Sequence, residues 1–457
     1  MSQGKTLGTS GARLADYLSA SLLARVFPTS EVHAVLDQAG VNSQRVRAFP
    51  AVAGVYYCMG LSLYPEQAYE SVFAAVAEGL AWSAGAPTPA PVTKSAISKL
   101  RTKLGYEPLR ALMQRCCKPL ADPVRHPQGF YAGRRIVAID GSKFEVPDEA
   151  QNKLAFGYPG SRTGQAGYPQ AQSAVLVECA THAILAANIG AYRVAEWEIC
   201  QPLLGSLGPG MLCLADRGFN GFEHWQAARA TGSDLLWRCA KNRQLPVHKA
   251  LSDGSYLSAL AATRRSPAGV SRTIKDAAQG VVVRVIEYSL PGSEERYRLI
   301  TSVLDEREAP ALELAALYHQ RWHVEAVFDE LKTHLRQQRR VLRSKTPDLV
   351  RQEFYGWVLA HFAVRWLMHE VASQAQLGHE RLSFTAHVNL AQTRTAPQRG
   401  LSPQSARKSA SAGGSSCSKR AANLRQCARS TSAACAWSSA GAHPMHRLIR
   451  TTRATFL

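Results

Sequence analysis

Two short apolar runs end in the same way, and that repetition limits the possible folds more than any other feature of the chain. Ile136-Val137-Ala138-Ile139 leads into Asp140-Gly141-Ser142, and Met211-Leu212-Cys213-Leu214-Ala215 leads into Asp216-Arg217-Gly218. Four or five consecutive apolar residues leave no polar face, so each run reads as a strand buried on both sides. A sheet covered on both faces needs helices above and below it, which makes this an α/β chain. Each run also delivers a carboxylate to the C-terminal end of its strand, where ligands bind in such sheets. Asp-Gly is a common turn pair, so one instance alone reads equally well as a turn. Two carboxylates at neighbouring strand ends repel each other, and a divalent cation is what best neutralises such a pair.

The rest of the chain divides around this centre. Residues 1–128 read as a helical N-terminal domain. Apolar spacing near 3.6 runs through Ala15–Val26, Thr29–Gln38, Val52–Cys58, Pro65–Trp82 and Lys94–Leu104, with Gly and Pro between them. β-type runs then follow at 135–140, 173–180, 182–190, 211–216, 235–241, 281–290 and 297–303. A helix fits Glu223–Thr231, and long helices fit Pro310–Arg336 and Pro347–Ala375. Boundaries near 133, 232, 301 and 392 set off an α/β middle at 133–232, a strand-rich stretch at 233–300 and a helical part at 301–392.

Charge sets the class of partner. The 457 residues carry 54 Lys+Arg against 34 Asp+Glu, net +20, so a polyanion is expected, nucleic acid before membrane. Residues 381–457 hold twelve of the cations and no acid, which leaves only +8 on the first 380 residues. From about Thr393 the chain turns Ser/Ala/Arg-rich, a disordered-type composition. A reading-frame change near 391–395 or a basic DNA-binding arm would each account for this tail. Its apolar runs are too short to span a membrane: the best candidate, Trp357 to Met368, is interrupted by His361 and Arg365. The N-terminus has no apolar signal core. Ten cysteines without C-x-x-C spacing give neither a zinc pattern nor a disulfide framework, which fits reduced thiols in a cytosol.

The third chemical feature lies on the helix expected at Pro310–Arg336. At about 100° per residue, Tyr318, Arg321, Glu325 and Lys332 fall within a stripe of about 60°. Val324, Val327, Phe328, Leu331 and Leu335 occupy the adjacent face and read as core. A solvated face of i,i+4 pairs is the plain alternative. Asp329 is the rival carboxylate. Arg and Lys flanking one Glu suit phosphates gathered around a carboxylate that holds a metal.

Taken together, Asp140-Gly-Ser, Asp216-Arg-Gly-Phe and the Y-x2-R-x3-E-x6-K spacing of Tyr318, Arg321, Glu325 and Lys332 resemble the DDE transposases of the insertion-sequence-four type. Further points of likeness are Pro147-Asp148 with Asn152, the Leu236-Trp237-Arg238 to Pro246 stretch, and Arg298 to Ser302. The likeness spans roughly residues 14–390.

The resemblance implies a ribonuclease-H-like mixed sheet with a β-rich insertion, preceded by an all-α N-terminal domain that binds the DNA ends. It implies that Asp140, Asp216 and Glu325 are catalytic and hold two Mg²⁺ ions, with Mn²⁺ as the substitute. The implied partners are double-stranded DNA, as terminal inverted repeats and as target, and a second copy in an assembled homodimer. The implied setting is the bacterial cytoplasm, at the nucleoid. Arg321 and Lys332 are expected at phosphates, Arg217 at DNA, and Tyr318 at the DNA backbone or a displaced base. Tyr297 occupies the place where hairpin-forming relatives stack a flipped base, although a strand aromatic in a core is the equal alternative. In the N-terminal domain, Lys99 and Arg101 on the basic helix Lys94–Lys103 are expected in a DNA groove, against the alternative of a solvated basic face. A related nuclease and a decayed, DNA-binding remnant are the competing functions. The Y-R-E-K set argues against the first and the complete Asp/Asp/Glu set against the second.

Overall fold

The computed structural model describes residues 21–392 apart from 45–48, 85–89, 161–166, 220, 266–270, 274–279, 290–295, 336–340, 377 and 379–381. The tail expected at 393–457 and the first residues of the Ala15–Val26 helix lie outside the described residues.

The N-terminal region is helical as expected: α1 (Thr29–Gln38), α2 (Ala51–Leu63), α3 (Tyr69–Ala84), α4 (Lys94–Leu104) and α5 (Glu107–Cys116). Helix α5 was not anticipated, although Pro108 at its start and the buried Leu109, Leu112 and Met113 carry the signal. α2 is buried nearly all round, from Val55 to Leu63. Such a helix needs neighbours on every side. One of them is a 29-residue helix from the far end of the chain, α11 (Pro347–Ala375). Where the two cross, Gly356 lies so close to α2 that a Cβ there would stand 2.6 Å from the Cys58 carbonyl oxygen.

One ten-stranded sheet forms the centre. Its core strands are β2 (Arg134–Glu145), β3 (Gln170–Glu178), β4 (Ile184–Ala191), β5 (Met211–Ala215) and β6 (Asp234–Arg238), in the order β4-β3-β2-β5-β6. β2, β5 and β6 are parallel, whereas β3 and β4 are antiparallel. This is the ribonuclease-H-like order, with the first strand in the middle of the sheet. The short β1 (Phe130–Tyr131) pairs with β2.

The strand-rich stretch after β6 continues the core sheet. β12 (Arg296–Thr301) pairs with β6, and β11 (Val281–Ser289), β8 (Tyr256–Leu260) and β7 (Lys249–Ala250) continue outward in the same sheet. Only β9 (Thr263–Arg265) and β10 (Ser271–Thr273) form a separate ribbon. An exposed β6 edge would offer unpaired backbone groups, and β12 covers it. Helices α6 (Ala150–Phe156), α7 (Glu196–Cys200) and α8 (Phe222–Arg229) connect the core strands, and α8 packs Trp225 edge-on against Trp237 of β6.

The helix expected at Pro310–Arg336 is segmented. α9 (Ala311–Tyr318) passes through a 3₁₀ turn at His319–Arg321 into α10 (Trp322–Asp329), then into a π turn at Glu330–Leu335. α12 (Phe384–Gln392) packs on α11. Among the described residues no helix is long and apolar enough to cross a membrane, and Cys58, Cys116, Cys117, Cys179, Cys200, Cys213 and Cys239 are free thiols.

Candidate active site

β2 does not stop at Asp140. Its parallel partner β5 pairs only as far as Ala138, opposite Leu214, while β2 runs on beside β3 to Glu145. Asp140 therefore stands just past the end of the parallel pairing, and Asp216 follows directly after β5. The expectation of a strand end holds for Asp216. For Asp140 it holds only on the β5 side.

Both carboxylates are fixed by backbone N–H groups. Gly141 N donates to Asp140 Oδ1 at 2.8 Å, and Gly218 N donates to Asp216 Oδ1 at 2.7 Å. The segmented helix reaches the same place. Arg321 donates from Nη1 to Asp140 Oδ2 at 2.8 Å and from Nη2 to Glu325 Oε1 at 2.9 Å. Lys332 donates from Nζ to Ser142 Oγ at 2.6 Å, two residues beyond Asp140. Tyr318 donates its hydroxyl to the Ala215 carbonyl oxygen at 3.2 Å, immediately before Asp216. Tyr318, Arg321 and Lys332 thus meet two neighbouring strand ends, across a 3₁₀ turn and a π turn, and Glu325 joins them through Arg321. Asp329 faces elsewhere, bonded to Thr333 and close to His334, with its side chain 60% exposed.

A further carboxylate, which sequence reasoning missed, joins them. Glu196 of α7 lies against Gly141: a Cβ on that glycine would stand 2.1 Å from Glu196 Oε1. Asp140 is half-buried, and burial lifts its carboxyl to about 7; Arg321 and the Gly141 N–H oppose the rise, while Asp216 and Glu196 add to it. Glu196 is raised as well, by burial and then by Asp216. No pattern around Glu196 marks it in the sequence. The small residue after Asp140 is the only clue, since a larger one would fill the space.

Three of the expected DNA contacts, Arg101, Tyr297 and Tyr318, are buried in this structure. Arg101 is 4% exposed; it donates from Nε to Gln352 Oε1 at 2.8 Å and from Nη2 to Ser344 Oγ at 3.0 Å, so it ties α4 to α11 and faces no groove. Tyr297 is 5% exposed on β12, stacked on Tyr288 at 5.3 Å with Arg238 over its ring. No free face remains there for a base. Tyr318 is equally buried and holds the strand end that precedes Asp216. Lys99 and Arg217 are exposed, and Arg217 sits at the mouth of the site. Asn152 is buried and donates to the Pro147 carbonyl oxygen at 3.2 Å, a structural role.

Behind the site the π turn is held by a buried network. Glu330 accepts from Arg365 Nε at 3.0 Å, again from Arg365 Nη2, and from His361 Nε2 at 2.8 Å. Arg365 Nη2 also donates to His182 Nδ1 at 2.7 Å. His182 Nδ1 also lies 3.3 Å from Glu330 Oε1, and its Nε2 lies 2.9 Å from His323 Nδ1. Burial alone would raise Glu330, but Arg365 and the two histidines hold its carboxyl well below the usual range.

Comparison with known proteins agrees with this geometry. A family described as insertion element 4 transposase N-terminal matches residues 18–114, and the transposase DDE domain matches residues 131–363, just over half of the chain. The chain belongs to the DDE transposases. The transposase is 26% identical over 394 residues to Transposase InsG for insertion sequence element IS4 of Escherichia coli strain K12, covering 85% of this chain and 84% of that one. A looser likeness, TM-score 0.40 at 12% identity, is to a cryo-EM structure of a piggyBac transposase synaptic complex with hairpin DNA, covering 82% and 79% of the two chains.

Hard divalent cations suit what the transposase gathers. Asp140, Asp216 and Glu325 supply oxygen donors only, and the half-buried Asp140, its carboxyl lifted to about 7, ionises more readily beside a positive charge. Arg321 supplies that charge here, spanning Asp140 and Glu325. Among the described residues no group of three or more His, Cys, Asp or Glu side chains is placed to hold a metal ion.

Proposed function

We propose that this transposase cleaves DNA at the terminal inverted repeats of its element and joins the freed ends to target DNA, acting as a homodimer. Asp140, Asp216 and Glu325 would hold two divalent cations, Mg²⁺ or Mn²⁺, which stabilise the attacking and leaving oxygens of an in-line displacement at phosphorus. The chain's own residues do the positioning. The Gly141 and Gly218 N–H groups orient Asp140 and Asp216. Tyr318 holds the end of β5. Arg321 offers a bidentate fork to a phosphate once it is released from the carboxylates, and Lys332 adds a point charge next to Ser142.

The observation that carries this reading is the Arg321 bridge. Arg321 donates to both Asp140 and Glu325, far apart in sequence, and this supports reading the two carboxylates as parts of one centre. A Mg²⁺-dependent cleavage assay on labelled element ends tests the proposal. Asp140→Ala, Asp216→Ala and Glu325→Ala should each abolish nicking and leave end binding largely intact, because phosphate contacts elsewhere position the DNA. Cleavage that survives Glu325→Ala and is lost in Asp329→Ala would assign the third carboxylate to the other residue.

A further inference from the structure

A cleft of about 520 Å³ opens between the helical head and the segment that follows the π turn. Lys94, Ser98 and Arg101 of α4, Tyr69 of α3, and Arg343 and Lys345 ahead of α11 line it. Four cations therefore meet one lining carboxylate, Glu70. Three of them gather around one ring. Arg343 lies 4.5 Å, Arg101 5.8 Å and Lys94 5.9 Å from the centre of Tyr69.

The walls are built rather than incidental. Arg101 is nearly fully buried, locked by Gln352 and Ser344. Arg343 donates to the Pro65 and Gln67 carbonyl oxygens. Glu353 accepts from the backbone N–H groups of Arg343 and Ser344 and offsets part of the charge from behind. Lys345 is paired with Glu149 at 2.7 Å, yet its side chain is 75% exposed. Lys94 is exposed at the first turn of an 11-residue helix, where the helix dipole adds positive potential.

We propose that this cleft is a phosphate site that grips one phosphodiester of the bound DNA, between α4 and the start of α11. The site rests on the DNA-cleaving function proposed above and adds an anchor outside the catalytic carboxylates. Like charges so close together repel one another, and an anion relieves that repulsion. The cleft has space for a phosphate with its sugars, and the exposed Lys94 and Lys345 line it. A buried Arg101 finds its use here. It is unable to enter a groove from α4, but it forms the floor of the cleft into which a backbone phosphate descends. A free polyphosphate offers the same chemistry, and the experiment separates the two.

Binding of the full chain to a short DNA duplex is measured over a range of salt, for the wild type, for Lys94→Ala/Lys345→Ala, and for Lys118→Ala as an exposed control away from the cleft. The log–log salt slope should fall by about 0.9 in the double variant, the loss of one phosphate contact, and stay unchanged in the control. A duplex carrying one neutral methylphosphonate at the gripped position should weaken wild-type binding and leave the double variant unaffected. An unchanged slope in the double variant, with the wild type salt-dependent, overturns the cleft and leaves the cleavage function standing. A wild type that binds no DNA overturns both. Calorimetric binding of inorganic pyrophosphate that the double variant loses, with its DNA slope unchanged, assigns the cleft to a free phosphate compound and overturns the DNA assignment.

Discussion

At the scale of single residues, the site shows how a carboxylate is tuned by what surrounds it. Asp140 is half-buried just past the fully buried part of its strand, so ionising it takes charge partly out of water, and its carboxyl is lifted to about 7. In the unfolded chain an aspartate titrates near about 3.9. The folded value is the higher one, so its contribution to stability is fully present below about pH 4 and is lost as pH rises through about 7. In chelator, Asp140→Asn should melt above the wild type at about pH 8 and near it at about pH 5. A melting difference that does not change across that range would show that Arg321 fully compensates the buried charge. Adding Mg²⁺ to the wild type at the higher pH should narrow the gap, since a cation repays the burial that the Asn variant avoids.

At the scale of elements, the segmentation of the Glu-bearing helix is the main departure from a regular helix. The π turn at Glu330–Leu335 brings Lys332 to Ser142 while Leu331 and Leu335 stay in the core. π turns are rare and need outside support. Here Glu330 supplies it, through Arg365, His361 and the β3–β4 turn at His182, whose φ of +60° is itself unusual for a residue with a side chain. Glu330→Ala should therefore destabilise the protein by about 3–5 kcal/mol, because it strands the Arg365 guanidinium in the core. Glu330→Gln keeps the shape and part of the bonding, and should cost clearly less. Urea denaturation measures both. If Glu330→Ala unfolds within 1 kcal/mol of the wild type, the network does not support the turn.

At the scale of the whole molecule, the head and the catalytic core share one interior. α2 packs on α11, Phe27 meets Phe362 at 6.3 Å, and Arg101 reaches Gln352 across 251 residues of sequence. The head is therefore not a free reading module joined by a linker, and removing it would uncover the apolar face of α11. Gly356→Ala probes this directly, because its Cβ meets the rigid backbone oxygen of Cys58. The expected loss is about 1–3 kcal/mol, in a single unfolding transition. Two resolved transitions in calorimetry would show instead that head and core unfold apart. The sheet is continuous in the same way. The strands expected as an insertion extend the core sheet past β6, which places Tyr297 inside its packing.

Local patterns in the chain determined the helices α1 and α4 to the residue and the order of the core strands along the chain, and they marked Asp140, Asp216, Tyr318, Arg321, Glu325 and Lys332 as candidates. Each of these depends on spacing within about one element, and hydrophobic periodicity and side-chain direction act at that range. Only the tertiary structure decided what each residue meets. Arg101 reads as a basic surface residue until Gln352 arrives, and Tyr297 reads as a platform until Tyr288 covers it. Glu196 is one acid among many until Gly141 lets it approach Asp140. Burial and charge balance are set by partners remote in sequence, so they exist only once the chain has closed on itself.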